Sequence, residues 1–285
     1  EGEKKQRFNQ IQTELARLST EFGNNVLDCT KAFSVKLTTK EEVAGLPDSA
    51  LGLAAQAAKS KGEEGATAES GPWVFTLDAP SFLPVLKHAK DRALREKMYL
   101  AYNTRASEAS GTRPDGGKSL DNTEIIKQVL ALKQEKARLL GKRHFADVST
   151  ATKMASLESA MELMAKLRAA SYGPAERELK ELQEFAARGG FEGELKPWDV
   201  TFYAERQLEA EYAFNEEELR PYFALPRVLD GLFQLANRLF DVDVVQAQRV
   251  VPTWDSAVQF WQINRDGQPV AYFYLDPYSR PEEKR

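Results

Sequence analysis

The closing stretch of the chain, WDSAVQFWQINRDGQPVAYFYLDPYSRPEEKR over residues 254–285, constrains the fold more than any other. Two apolar runs, Val258–Ile263 and Val270–Leu275, flank the segment Asn264–Pro269, which contains Asp266-Gly267. Aromatic and β-branched residues suit a pleated surface, and Asp-Gly supplies a tight turn, so the pattern predicts a β-hairpin. A two-stranded hairpin is marginal in water by itself. The expectation is that further chain, beyond residue 285, covers it.

Most of what precedes the hairpin has helical periodicity. Phe8, Ile11, Leu15, Leu18, Phe22 and Val26 recur at intervals of three and four, predicting one amphipathic helix over 3–30. No capping residue precedes it, which reads as a start in mid-helix. Phe33, Val35 and Leu37 alternate with polar residues as a strand does, and Trp73–Leu77 is a second strand that could pair with them. Between them lie a short Ala-rich helix, Ser49–Lys59, and a small, charged, Gly-rich loop, Ser60–Pro72. Ser81 is expected to cap a helix whose core face runs Phe82, Leu86, Ala89, Leu94, Met98, Tyr102. Asp121-x-x-Glu124 suggests a capping box for a helix ending at Gly141. Leu157, Met161, Met164 and Leu167 stripe another helix, expected to face a core. Further helices are predicted from Gly173-Pro174 to Gly189-Gly190, over Asp199–Phe214, and from Pro226. The last carries Val228, Leu229, Leu232, Phe233, Leu235, Leu239 and Phe240, and is expected to be buried on more than one side. Val242–Val251 is extended. The predicted class is mainly α, with a small β-sheet or hairpin at the C-terminal end.

Composition excludes several functions. A net charge of −4 and a pI near 5.6 give no clustered basic excess for nucleic acid. No apolar run approaches the roughly 20 residues that span a bilayer, so no membrane partner is expected. The single cysteine, Cys29, cannot form an internal disulfide and reads as a buried inert thiol, with a reactive thiol as the alternative. No charged secretory or Arg/Ser-rich transit segment opens the chain.

Catalytic patterns are equally scarce. The two histidines, His88 and His144, are far apart, and the His144 context HFADV lacks the Glu and second His of H-E-x-x-H. Structural roles are expected for both. There is no G-x-S-x-G. The loop GTRPDGGKS, residues 111–119, misses the phosphate-loop spacing by one residue and follows no apolar strand. Glu63-Glu64 and Glu216-Glu217-Glu218 read as solvated faces or helix N-termini. No catalytic, cofactor-binding or metal-ligating residue is assigned.

Four stretches together resemble the thimet oligopeptidase/oligopeptidase A family of zinc metallopeptidases, in particular its bacterial and plant organellar branch. They are 22–58 (FGNNVLDCTKAFSVKLTTKEEVAGLPDSALGLAAQAA), 93–107 with 121–141, 194–207 (ELKPWDVTFYAERQ) continuing at 218–240, and 270–285 (VAYFYLDPYSRPEEKR). The resemblance covers essentially the whole chain. It implies a metalloendopeptidase that hydrolyses short peptides in a channel between two mostly helical halves. One zinc would be held by the two His of H-E-x-x-H and a later Glu, with the motif's own Glu activating the water. It also implies an intracellular soluble enzyme of the cytosol, chloroplast or mitochondrion. On this view residues 1–241 form a channel wall and 242–285 lead into the catalytic zinc region, which this chain lacks and which is its principal partner besides short peptides. Residues 1–285 alone are therefore expected to be inactive. The alternatives are a catalytically inactive helical interaction or adaptor protein, and an inactive relative that ends here by design.

Overall fold

The computed structural model describes residues 2–110, 119–213, 215–248 and 251–278. The phosphate-loop-like residues 111–118 and the terminal Arg280-Pro281 fall outside them. The chain divides into two compact units, Glu1–Ala213 and Phe214–Arg285. As expected, it is mainly helical, with a small antiparallel sheet near its C-terminal end.

The first unit contains α1 (Gly2–Ala32), β1 (Val35–Leu37), α2 (Asp48–Ser60), β2 (Trp73–Phe75), α3 (Ala79–His88), α4 (Arg92–Asn103), α5 (Thr123–Leu139), α6 (Phe145–Thr150), α7 (Leu157–Arg188) and α8 (Pro197–Tyr212). β1 and β2 pair antiparallel with Val35 opposite Phe75 and Leu37 opposite Trp73. Their side chains join α2, α3 and α4 in the main core, where Trp73, Phe75, Val85 and Met98 are essentially inaccessible. α1 lies along α5. Ile11 and Leu18 of the expected stripe are buried, while Phe22 stays exposed. A buried amide pair, Asn25 Nδ2 donating to Asn122 Oδ1 at 2.8 Å, ties the two helices together. The loop 60–72 is mostly exposed, but Ala66 is fully buried, so it is anchored to the core rather than free of it.

Several expectations are corrected. The stripe Phe82–Tyr102 belongs to two helices, not one. The chain breaks at Ala89 (ψ 124°), and Asp91 caps α4 by accepting from Ala93 N. Ser81 does not cap α3; Asp78 occupies that position, and Ser81 Oγ accepts from Thr76 N. At α5 the N-cap is Asn122, and Glu124 pairs with Lys127 instead of closing a capping box. Gly141, at φ +69°, does follow the last turn as expected. Gly173-Pro174 starts no new helix: α7 is continuous for 32 residues, about 48 Å at 1.5 Å per residue. Proline's fixed φ is itself helical. The one backbone bond it removes sits on an exposed stretch, where water can satisfy the carbonyl.

The second unit contains α9 (Glu216–Leu219), a 3-10 turn (Arg220–Phe223), α10 (Leu225–Phe240), β3 (Asp243–Gln246), β4 (Gln259–Arg265) and β5 (Gln268–Leu275). The sheet order is β3-β4-β5, all antiparallel. β4 and β5 form the predicted hairpin. Asp266 and Gly267 both have positive φ, at 51° and 71°, as a two-residue turn of the right twist requires.

Gly45 marks the tightest point of the first unit. It sits at φ +90°, and a Cβ there would be driven into the His88 carbonyl oxygen. Gly45→Ala should cost about 2–5 kcal/mol, from left-handed strain plus overpacking. Gly190→Ala, at φ +88° but facing open space, should cost only about 1–2 kcal/mol from strain. Urea unfolding of both variants measures the difference.

Candidate functional site

The Leu195-Lys196-Pro197-Trp198-Asp199 segment builds the most strongly linked charged cluster. Pro197 opens α8, and Asp199, two residues on, turns back to accept from Lys196 N at 3.0 Å. Its fully buried carboxylate meets two guanidinium groups from α4. Arg92 donates through Nε (3.0 Å) and Nη2 (2.8 Å), and Arg95 through Nη2 (2.9 Å). Arg95 is itself 2% exposed and spends its other donors on the carbonyls of Ala89 (2.8 Å) and Trp198 (3.1 Å). Burial pushes the Asp199 carboxyl up. The hydrogen bonds from Arg92, Lys196 N and Arg95 outweigh that and hold it below the ordinary carboxylate range. A carboxylate so depressed, with both oxygens engaged, is a poor proton acceptor. Its role is to clasp α8 against the α3–α4 elbow.

A second cluster lies one turn and a half along α8. Lys87 pairs with buried Glu205 at 3.3 Å. Arg206 Nη1 donates to the Lys87 carbonyl at 2.7 Å, while its Nη2 lies 3.4 Å from His88 Nδ1. Burial, and then the Arg206 charge, lower the pKa of His88 below the ordinary imidazole value, so the ring is neutral near pH 7 with Nδ1 as acceptor. His144 stands on another element, before α6, between Asp147 (Nδ1 to Oδ2, 3.2 Å) and Arg143 (Nε2 to Nη2, 3.3 Å). Cys29 is buried against the Ser110 carbonyl. Among the described residues, no group of three or more His, Cys, Asp or Glu side chains could hold a metal ion. The zinc implied by the sequence resemblance therefore finds no donor set among the described residues.

What the described residues do present is apolar surface. In the hairpin, Phe260 stacks on Tyr272 (5.5 Å) and meets Tyr274 (4.8 Å), and Tyr272 and Tyr274 remain 47% and 43% exposed. Part of the hairpin is thus uncovered. The opposite face of the sheet turns Trp261 toward Phe233 of α10, at 4.8 Å between ring centres. Two expectations fail. The Met161, Met164, Leu167 stripe of α7 is exposed, not core; only Leu182 and Ala186 at the far end of the helix are buried. α10 has no buried residue, although it was expected to be enclosed on several sides. In both cases the amphipathic pattern is present, but the described residues leave the α7 stripe open and cover only the sheet-facing strip of α10. The Arg92–Arg95–Asp199 clasp was not read from the sequence. Its one local signal was an Asp two residues after the opening Pro of a helix.

A model described as "Peptidase family M3" matches residues 85–285. Probable cytosolic oligopeptidase A of Arabidopsis thaliana is 55% identical over all of this chain and 40% of its own length. The organellar oligopeptidase A of the same plant, chloroplastic/mitochondrial, is 53% identical over all of this chain and 35% of its own. Oligopeptidase A of Haemophilus influenzae is 42% identical over 99% of this chain and 40% of its own. The chain therefore spans about two fifths of the length of the curated relatives it matches.

Both ionisable clusters make the fold acid-labile. His88 and Asp199 have folded-state pKa values below their ordinary ones, so each contributes stability at high pH that is lost as pH falls. Stability should decline below about pH 6.5 through His88 and again below about pH 4 through Asp199. Denaturant midpoints measured from pH 8 to pH 3 check this. Asp199→Ala should remove the second step and cost about 3–5 kcal/mol at pH 7, because it strands buried Arg95 without a counter-charge. NMR titration should place His88 below the ordinary imidazole value.

Proposed function

The chain belongs to peptidase family M3, and from that premise we propose that it is part of a zinc metalloendopeptidase, an oligopeptidase that hydrolyses short peptides. The identity to oligopeptidases A, extending over the whole chain, carries this reading. The zinc ligands and the base come from chain outside residues 1–285. Residues 1–241 act as wall for the peptide channel, and 242–285 bring the sheet up to the catalytic region. The open apolar faces of α7, α10 and the hairpin support a missing covering segment. Its substrates are short peptides, and nucleic acid is not a partner. No helix of the described residues is long and apolar enough to cross a membrane. The plant relatives, named as cytosolic and as chloroplastic/mitochondrial, support a soluble enzyme of one of those compartments.

One observation favours a second reading, a catalytically inactive helical interaction protein: the described residues combine apolar faces with no metal-holding group. A quenched fluorescent peptide of under about 20 residues separates the two, assayed with and without a chelator. Residues 1–285 should show no turnover. A longer polypeptide from the same gene, extending through an H-E-x-x-H helix, should cleave the peptide and lose activity with the chelator. A longer polypeptide that folds, binds zinc and never cleaves would favour the second reading. Chelator-sensitive turnover by residues 1–285 would contradict the assignment of the zinc ligands to chain outside them.

A further inference from the structure

We propose that the outer face of α10 is a docking seam for one amphipathic α-helix with an acidic margin, supplied by the part of the same polypeptide outside residues 1–285. This rests on the reading above, in which such a region exists. Leu225, Val228, Leu232, Leu235 and Leu239 follow one another at intervals of three, four, three and four residues. At about 100° per residue they fall within one strip about 80° wide. That alternation is the spacing of a helix that receives another helix by knobs-into-holes packing. All five are open to solvent, from 40% at Leu225 to 64% at Leu239. The sheet does not compete for them. It takes the adjacent strip, where Leu229, Phe233 and Ala236 are half-buried and Phe233 meets Trp261.

The margin of the seam away from the sheet indicates the charge of the occupant. Gly231 lies there with nothing within 4 Å of where a Cβ would be, which leaves room for a neighbouring backbone. Arg227 and Arg238, both exposed, lie along the same margin. They call for carboxylates beside the partner's apolar stripe. A second copy of α10 would bring its own arginines to that margin, which disfavours a homodimer. The relatives carry well over half of their length outside the matched region, ample to supply such a helix. The second unit also needs it. Among its described residues only Val242 and Val258 are buried apolar side chains, too few to hold a 72-residue unit by themselves.

The test is the variant Leu232→Gln with Leu235→Gln, made both in residues 1–285 and in the longer natural polypeptide. In residues 1–285 the thermal midpoint should move by no more than about 1 °C, since both side chains are already in water. In the longer polypeptide it should fall by about 5 °C or more. Arg238→Glu, a change on the margin that spares the apolar strip, should lower the midpoint only in the longer polypeptide, and less at high salt. Equal shifts in both proteins would overturn the proposal. So would a concentration-dependent dimer of residues 1–285 that the double variant dissociates, or binding of the longer polypeptide to anionic lipid vesicles that the variant abolishes. Peptide cleavage is scored separately. An inactive longer polypeptide that keeps the context-dependent shift retains the seam and sinks only the enzymatic reading; an active one without the shift does the reverse.

Discussion

The first unit depends on the buried carboxylate of Asp199 held between Arg92 and Arg95. The elbow between α3 and α4 exposes carbonyls that no helix satisfies, and Arg95 takes those of Ala89 and Lys90 while also holding Asp199. The opening turn of α8 has orphan N–H groups, and the same carboxylate accepts one of them from Lys196. One anion thus resolves two sets of unsatisfied backbone groups and brings α8 onto the main core. Buried Asp199 and Arg95 are tolerable inside only because they are paired, and partly exposed Arg92 adds a second guanidinium to the same carboxylate. Rings of Phe191 and Trp198 lie over the Arg92 guanidinium and that of Phe202 over Arg95, adding cation–π attraction.

Among the described residues of the second unit no charged side chain is buried. Its sheet is three strands with α10 on one face, and the exposed tyrosines of the other face meet solvent. The N-terminal two thirds of α7 in the first unit are in the same condition. On α7 and α10 these faces put Met161, Met164, Leu167, Leu232, Leu235 and Leu239 each more than half exposed, and contiguous apolar surface of that kind marks an interaction site. The curated relatives are some two and a half times as long as this chain, and on the proposed reading the remainder of such a protein would cover these faces.

Local chemistry was legible where periodicity and a turn residue agreed. The hairpin from Val258 to Leu275, helix α1 and the β1–β2 pair all follow from such agreement. The α3–α4 elbow was missed because the apolar spacing from Phe82 to Tyr102 continues across it; what breaks the helix is a tertiary partner, Arg95 with Asp199, more than a hundred residues apart. The sequence divides α7 at Pro174 because proline usually ends helices, yet its fixed φ is helical and the carbonyl it leaves without a partner, that of exposed Ala170, faces water. The methionine stripe of α7 and the leucines of α10 were expected in a core and stand in water instead. Amphipathicity tells that a face needs covering, but the covering residues are not among those described.

Native-state hydrogen exchange of residues 1–285 tests the account most directly. If the Asp199 clasp organises the first unit while α7 awaits covering chain, the amides of β2, α3, α4 and the first turns of α8 should exchange slowest. Protection along α7 should then divide, slow near Leu182 and Ala186 and fast over its first two thirds. Uniform slow exchange along the whole of α7, equal to that of α4, would contradict the account.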